Sequence, residues 1–413
     1  MNTDLAPNQP AQQHTPQPTI AVLGLGYVGL PVATAFAEKG FSVLGIDIDA
    51  QRVCDLREGR VQGPSAFVLS SALRDGRLTL TTESTVLSRA DVVFICVPTP
   101  LEDGEARHEA VRACARSFAG HGRSDALVIL ESTVRPGFVT ELRPLLGHSG
   151  RVALAYAPER IDPQRSQAGM PLSSIPRLVA GIDDAARDRA AQLLWRIGVS
   201  VHPVSLAVAE RAKLLENAYR LHNIALIDQL ATLWRVEGIN PSEVIDAAAT
   251  KPFGFQAFYP GIGAGGHCVG VDPVLLVQRG REVGVSLSLL ENSIAANAQR
   301  PRAVAGSVAA CTTPEDTILV IGLTYKPGIA DTRESAALTA ARTLAEMNRK
   351  VVAFDALVSV PDSLDGVSLG DGLARATAVL LLVRQPNAVM SALQASTLPL
   401  FDATGTLPAA VAV

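Results

Sequence analysis

The sequence predicts an α/β fold of two doubly wound, parallel-sheet domains joined by a central long helix, and three observations predict it. A glycine pattern separates an apolar strand from a helix near the start of the chain. The same strand–helix–strand grammar returns after residue 316, and between the two copies apolar residues recur at three- and four-residue steps over 209–241.

The first copy is TIAVLGLGYVGLPVATAFAEKGFSVLGIDID (19–49): a strand, then Gly24-x-Gly26-x-x-Gly29, a helix of small residues, and a second strand ending at Asp47. Each glycine has a task, namely a tight turn, close approach of a pyrophosphate, and close packing of helix on strand. The helix start presents free amide groups to the phosphates, and Tyr27 and Val28 stand between the glycines. An acid about 20 residues on holds a ribose 2′-hydroxyl. Asp47 fills that place and would repel a 2′-phosphate, so the expected cofactor is NAD.

Further β-rich runs follow at 78–82, 91–100, 126–134, 151–161 and 177–182, with helix-like stretches between several of them. Such alternation makes a parallel, doubly wound sheet, whose ligands gather beyond the carboxyl ends of its strands. The residues expected there are Val97-Pro98-Thr99-Pro100, Glu131-Ser132-Thr133 and Pro158-Glu159-Arg160.

The helical stretch AERAKLLENAYRLHNIALIDQLATLWRVEGINP (209–241) is stopped by Gly238 and Pro241. Lys213 and Asn217 are four apart and share one of its faces. Apolar pairs on several faces call for cover by the rest of the domain or by a partner copy, so a homodimer or larger homo-oligomer is expected. The last part pairs IAVLGLGY with ILVIGLTY, SVLGID with VVAFDA, and DVVFICVPTP with AVLLLVRQP, with a helix expected from Arg333. Thr324 and Tyr325 replace the glycine fingerprint there, so no second NAD is expected. Lys326 and Arg333 suit an anionic partner such as a diphosphate. The expected division is a disordered polar tail (1–18), an NAD domain (19–204), a central helical domain (205–300) and a second Rossmann-like domain (301–413).

At 413 residues the chain has room for two or three domains. A formal charge of −4 argues against a nucleic-acid partner, and no apolar run approaches the ~20 residues that span a bilayer. The start has neither a basic segment nor an apolar stretch, so it does not read as a secretory signal. Five cysteines, at 54, 96, 114, 268 and 311, show no disulfide framework and no CxxC metal spacing. That fits a reducing cytoplasm.

Cys268 stands in GIGAGGHCVGVDP (261–273), with glycines before it and Asp272 four residues after it. A glycine-dense approach admits a substrate close to backbone and sulfur, and a nearby acid can organise a water or proton around an adduct. His267 could tune the thiol, yet neighbouring loop side chains often point apart, and we read it as packing or subgroup specificity.

In order along the chain, GLGYVGLP, VPTP, ESTVRPG, APERI, AKLLENAYR, KPFGFQAFYPG, GGHCVGVDP and GLTYKPGIADTRES resemble the UDP-glucose/GDP-mannose dehydrogenase family over nearly the full length. The resemblance implies NAD-dependent, four-electron oxidation of the C6 alcohol of a UDP-sugar to a carboxylate, for surface polysaccharide synthesis. GGHC and KPFGF…YPG are most similar to the UDP-N-acetylglucosamine and UDP-N-acetylmannosamine 6-dehydrogenases. Members acting on UDP-glucose, the alternative, usually carry serine before the cysteine.

Carried over, the resemblance implies Cys268 as nucleophile, with Lys213, Asn217 and Asp272 around the reacting carbon and Thr133 and Glu159 completing the site. It implies NAD contacts at Gly24, Gly26, Tyr27, Val28, Gly29, Asp47, Pro98, Thr99, Ser132, Thr133 and Arg333. Substrate contacts are implied at Glu159, Arg160, Lys213, Asn217, Tyr259, Gly261, Gly265 and Lys326. Lys213, Asp272 and Glu159 are all candidates for moving the first proton. Gly270 stands where relatives usually place proline, the segments after Pro98 and Pro158 are irregular, and LFDATGTLP lacks an arginine many members carry. Two rival readings are a two-electron hydroxy-acid dehydrogenase, which needs no thioester, and a non-catalytic NAD-binding regulator.

Overall fold

The computed structural model describes residues 17–60, 65–102, 104–148, 151–161, 172–266, 269–407 and 410–413. The tail expected at 1–18 falls almost wholly outside these residues, as do His267 and Cys268.

Strands of the first sheet are short and nearly all apolar because both faces are covered. They are β1 (Ile20–Leu23), β2 (Val43–Ile46), β3 (Leu78–Thr81), β4 (Val92–Ile95), β7 (Leu127–Leu130), β8 (Ala153–Tyr156), β9 (Arg177–Gly181) and β10 (Val201–Pro203). The intervening β5 (Leu101–Glu102) and β6 (Glu105–Ala106) form a separate two-stranded ribbon. Along β1 the side chains alternate: Ile20 and Val22 enter one core, Ala21 and Leu23 the other. Helices α1 (Gly29–Glu38), α2 (Ala50–Arg57), α3 (Ser65–Arg74), α4 (Glu109–His121), α5 (Phe138–Leu142) and α6 (Asp184–Arg196) accompany the sheet.

The order is β10-β9-β8-β7-β4-β1-β2-β3. The crossover between β1 and β4 opens a crevice at the carboxyl edge, where doubly wound sheets hold dinucleotides. One expectation is corrected: β9 pairs antiparallel with β8 and carries the parallel β10 with it. A parallel return needs a long crossover, usually a helix, whereas an antiparallel one does not.

Helix α7 (Leu206–Val236) spans 31 residues, begins at an N-cap where Ser205 accepts from the Val208 amide, and stops before Gly238, whose φ is +76°. It packs on α9 (Asp272–Glu282) and α10 (Ser288–Ala310), while α8 (Pro241–Ala249) follows it directly. The second sheet has the order β13-β12-β11-β14-β15-β16 and is parallel throughout. Its strands are β11 (Thr317–Ile321), β12 (Lys350–Phe354), β13 (Asp365–Gly366), β14 (Ala378–Leu381), β15 (Leu400–Asp402) and β16 (Val411–Ala412). Helices α11 (Ala336–Glu346), α12 (Leu369–Arg375) and α13 (Asn387–Gln394) complete it. The helix expected from Arg333 begins at Ala336 instead, because Ser335 caps it by accepting from the Leu338 amide.

Candidate active site

The glycine turn is shaped as a phosphate cradle. Gly24 has φ +89°, and a Cβ there would lie 2.8 Å from the Cys96 carbonyl oxygen. A Cβ on Gly29 would lie 1.8 Å from the Gly24 carbonyl oxygen, so helix and turn touch through bare backbone. Gly26 faces open space, with nothing within 4 Å of its Cβ position. Two glycines close the turn and the third leaves room beside the start of α1, which is the division of labour that a pyrophosphate requires. Asp47, just past β2, is held by the Leu25 amide at 2.8 Å and the Asp49 amide at 3.0 Å. A carboxylate offers about four lone-pair sites, so capacity remains for ribose hydroxyls. Arg52, which spacing did not single out, donates to the Leu25 carbonyl at 3.0 Å and closes the same turn from α2.

The sequence placed three loops at the carboxyl edge, and hydrogen bonds join them there. Thr99 Oγ1 donates to the Thr133 carbonyl at 2.8 Å, Ser132 Oγ to the Val97 carbonyl at 2.7 Å, and the Glu159 amide to the Glu131 carbonyl at 3.3 Å. Behind them lies a buried cluster that sequence reasoning missed. Arg177, 2 % exposed, pairs with Glu131 at 3.1 Å and with Glu159. Glu159 also accepts from the Arg160 and Ile161 amides, at 2.5 and 2.6 Å. Burial pushes the Glu131 carboxyl up to about 7, with Arg177 pulling down and Glu159 pushing up. Cys96, whose sulfur is 3.7 Å from Glu131, is raised by burial and is thereby kept a thiol. Arg160 is held by Glu216 of α7 at 2.6 Å.

On α7, Lys213 and Asn217 do face one target. Lys213 Nζ is 3.2 Å and Asn217 Nδ2 2.6 Å from the same oxygen, Oδ2 of Asp272. Asp272 is 2 % exposed and opens α9, where the helix dipole favours a carboxylate. Burial raises its pKa, while Lys213 and then the Asn217 hydrogen bond lower it. The chain therefore returns to the long helix four residues after Cys268, and a buried cation, amide and carboxylate meet there.

Arg333 pairs with Asp331 at 2.7 Å, and both charges act on the Tyr27 hydroxyl, so the second sheet's mouth reaches the glycine turn. Lys326 is half-buried in the same loop. Gly265 and Gly266 fit against that loop closely: a Cβ would meet the Glu334 carbonyl oxygen at 2.6 Å and the Tyr325 ring at 2.6 Å respectively. The Gly261 amide donates to Asp228 at 2.9 Å. Tyr259 is 53 % exposed, its hydroxyl 2.6 Å from Asp246 on α8.

A doubly wound sheet with an open glycine turn, a second such sheet, and between them in the chain a Lys–Asn–Asp cluster on the central helices define a dinucleotide-dependent oxidoreductase. Family models agree over most of the chain: the UDP-glucose/GDP-mannose dehydrogenase NAD binding domain at 18–197, central domain at 207–299 and UDP binding domain at 319–396. The chain belongs to the UDP-glucose/GDP-mannose dehydrogenase family and is an NAD-dependent nucleotide-sugar dehydrogenase. It is 33% identical over 400 residues to the UDP-N-acetyl-D-mannosamine dehydrogenase of Escherichia coli K12, covering 88% of this chain and 93% of the relative. It is 32% identical over 391 residues to an NDP-N-acetyl-D-galactosaminuronic acid dehydrogenase of Ralstonia solanacearum, covering 88% and 90%. A solved UDP-D-ManNAc dehydrogenase structure from Pyrococcus horikoshii superposes with a TM-score of 0.84 at 30% identity, covering 93% of this chain and 95% of the other.

Proposed function

We propose that this enzyme oxidises the C6 alcohol of a UDP-N-acetylhexosamine, with UDP-N-acetylmannosamine first, to the uronic acid in two NAD-dependent steps through Cys268. The observation that carries the reading is the Lys213–Asn217–Asp272 cluster, buried four residues along the chain from the thiol. The names of the relatives support the N-acetylated sugar.

NAD, when bound, would accept a hydride in each oxidation; Gly24, Gly26, Tyr27, Val28, Gly29, Asp47, Pro98, Thr99, Ser132, Thr133 and Arg333 would hold it. The residues of the chain do the rest. The C6 hydroxyl gives its proton to one of Lys213, Asp272 and Glu159, and Lys213 and Asn217 stabilise the oxyanion that forms as C6 becomes an aldehyde and then a thiohemiacetal on the Cys268 sulfur. A second hydride loss leaves a thioester. Asp272 holds Lys213 charged and oriented, and Glu159, fixed by two amides and Arg177, activates the hydrolytic water beside Thr133 as a general base. Arg160, Lys326, Tyr259, Gly261 and Gly265 would contact the nucleotide sugar. Its product is suited to a surface polysaccharide with an acidic sugar.

A homodimer built on α7 accompanies this reading. Val208, Leu215, Tyr219, Leu226, Leu233 and Val236 of that helix are 44–84 % exposed, an apolar stripe that asks for cover. Among the described residues no helix is long and apolar enough to cross a membrane. The free thiols of Cys54, Cys96, Cys114 and Cys311 support a reducing cytoplasm as its compartment. A panel of UDP- and GDP-sugars assayed for NADH tests the substrate: UDP-N-acetylmannosamine should give the highest kcat/KM, and a GDP-mannose or UDP-glucose preference would overturn the choice.

A further inference from the structure

The segment that leads to the thiol is clamped from one side by a single helix. Asn297, half-buried on α10, grips Ala264 with both ends of its amide: Oδ1 accepts from the Ala264 N–H at 2.7 Å, and Nδ2 donates to the Ala264 carbonyl at 2.9 Å. One turn on, Arg300 is 6 % exposed, and its Nε donates to the Gly261 carbonyl at 2.8 Å. Its other end donates to the Val413 carbonyl at 2.9 Å, beyond β16 of the second sheet. Asp228 of α7 takes the Gly261 amide at 2.9 Å and stands 3.6 Å from Arg300.

Two backbone features show that this grip is built in. Pro301 sits inside α10 and has no N–H for the carbonyl of Asn297 four residues before it. That carbonyl faces Gly263, where φ is +100° and a Cβ would be 3.4 Å from it and 3.3 Å from Asn297 Oδ1. On the opposite side the Gly266 amide donates at 3.1 Å to the carbonyl of Glu334, a non-glycine residue held at φ +52°. Left-handed backbone of this kind persists only where its surroundings enforce it.

We propose that Asn297 and Arg300 are positioning residues that govern how readily the Cys268 thiol reacts, by fixing residues 261–266 between α10 and the Tyr325–Glu334 loop. The inference rests on the thiol chemistry proposed above. Neither residue touches the reacting carbon; they act through the backbone of Gly261 and Ala264. Arg300 also holds Val413, so one side chain ties the segment before the nucleophile to the end of the second sheet.

The test is Asn297→Ala, with Asn297→Asp, which keeps the Ala264 N–H acceptor and loses the donor, as the variant to use should the first not fold. Iodoacetamide labelling of the full-length protein, followed by peptide mapping, reads Cys268 directly and needs no sugar substrate. Cys268 should react at least fivefold faster once its segment is released, while Cys54 and Cys311 keep their rates. In turnover, oxidation of the synthetic C6 aldehyde should fall at least tenfold, while the first hydride transfer from the alcohol and the affinity for NAD stay within threefold. An unchanged or slower Cys268 rate overturns the proposal, as does a parallel loss of both half-reactions with a lowered melting temperature. A wild-type enzyme that releases one NADH per sugar sinks the four-electron reading by itself and leaves the labelling result to judge Asn297.

Discussion

Asn217 and Asp272 meet at a single oxygen: Asn217 Nδ2 donates to Asp272 Oδ2 at 2.6 Å, and the Lys213 ammonium shares that oxygen at 3.2 Å. Replacing Asp272 with Asn takes a buried carboxylate away from a lysine that is 6 % exposed. Removing one partner of a buried pair costs about 3–5 kcal/mol. Thermal unfolding should register that loss. Turnover should fall by about 100-fold or more, the size of a lost oxyanion donor, because Lys213 loses the group that orients it. A variant with wild-type melting temperature and wild-type kcat would show that the pair is ornamental.

Gly26 and Gly29 are predicted to fail differently. Gly29→Ala forces a Cβ to 1.8 Å from the Gly24 oxygen, so the backbone must shift and the melting temperature should drop. Gly26→Ala meets open space, so the protein should fold normally and lose NAD affinity, roughly tenfold, the equivalent of one 1.4 kcal/mol contact. Calorimetric NAD titration alongside a melting curve separates the two, and equal effects on both variants would contradict the cradle.

Much of this site was legible before any coordinates, and the boundary has a physical cause. Short-range patterns carried the glycine turn, because strand, turn and helix lie within a continuous stretch, and the Lys213–Asn217 face, because four residues are about one helical turn. Arg177 was missed because its partners, Glu131 and Glu159, come from other strand ends, and an arginine opening an apolar strand has no spacing signal. The Asn297–Ala264 grip joins residues 33 apart, and only folding creates it. Sheet direction at β9 was missed for the related reason that an apolar strand pattern does not state which way the strand runs beside its neighbour.

The buried Glu131 carboxyl should make stability depend on pH. Its folded value, about 7, lies above that of the unfolded chain, so the folded state binds the extra proton between the ordinary carboxylate range and about pH 7. Stability contributed by this group is full below the unfolded value and is lost as pH rises through about 7. Glu131→Gln cannot ionise. Its melting temperature relative to wild type should therefore rise between pH 5 and pH 8, and a constant difference across that range would contradict a raised Glu131.

The exposed stripe on α7 predicts the assembly. Leu226→Asp and Leu233→Asp place a carboxylate at positions 44 % and 51 % exposed in the single chain. If those faces meet a second copy, light scattering after size exclusion should read a dimer for wild type and a monomer for the double variant. A monomeric wild type would contradict it.

The most direct measurement is the number of NADH molecules formed per UDP-sugar consumed, with wild type and Cys268→Ser side by side. Two for wild type, and a serine variant that stalls before releasing acid, is the result expected of a sugar carbon carried on sulfur between its two oxidations. One per sugar, with the serine variant equally active, would contradict it.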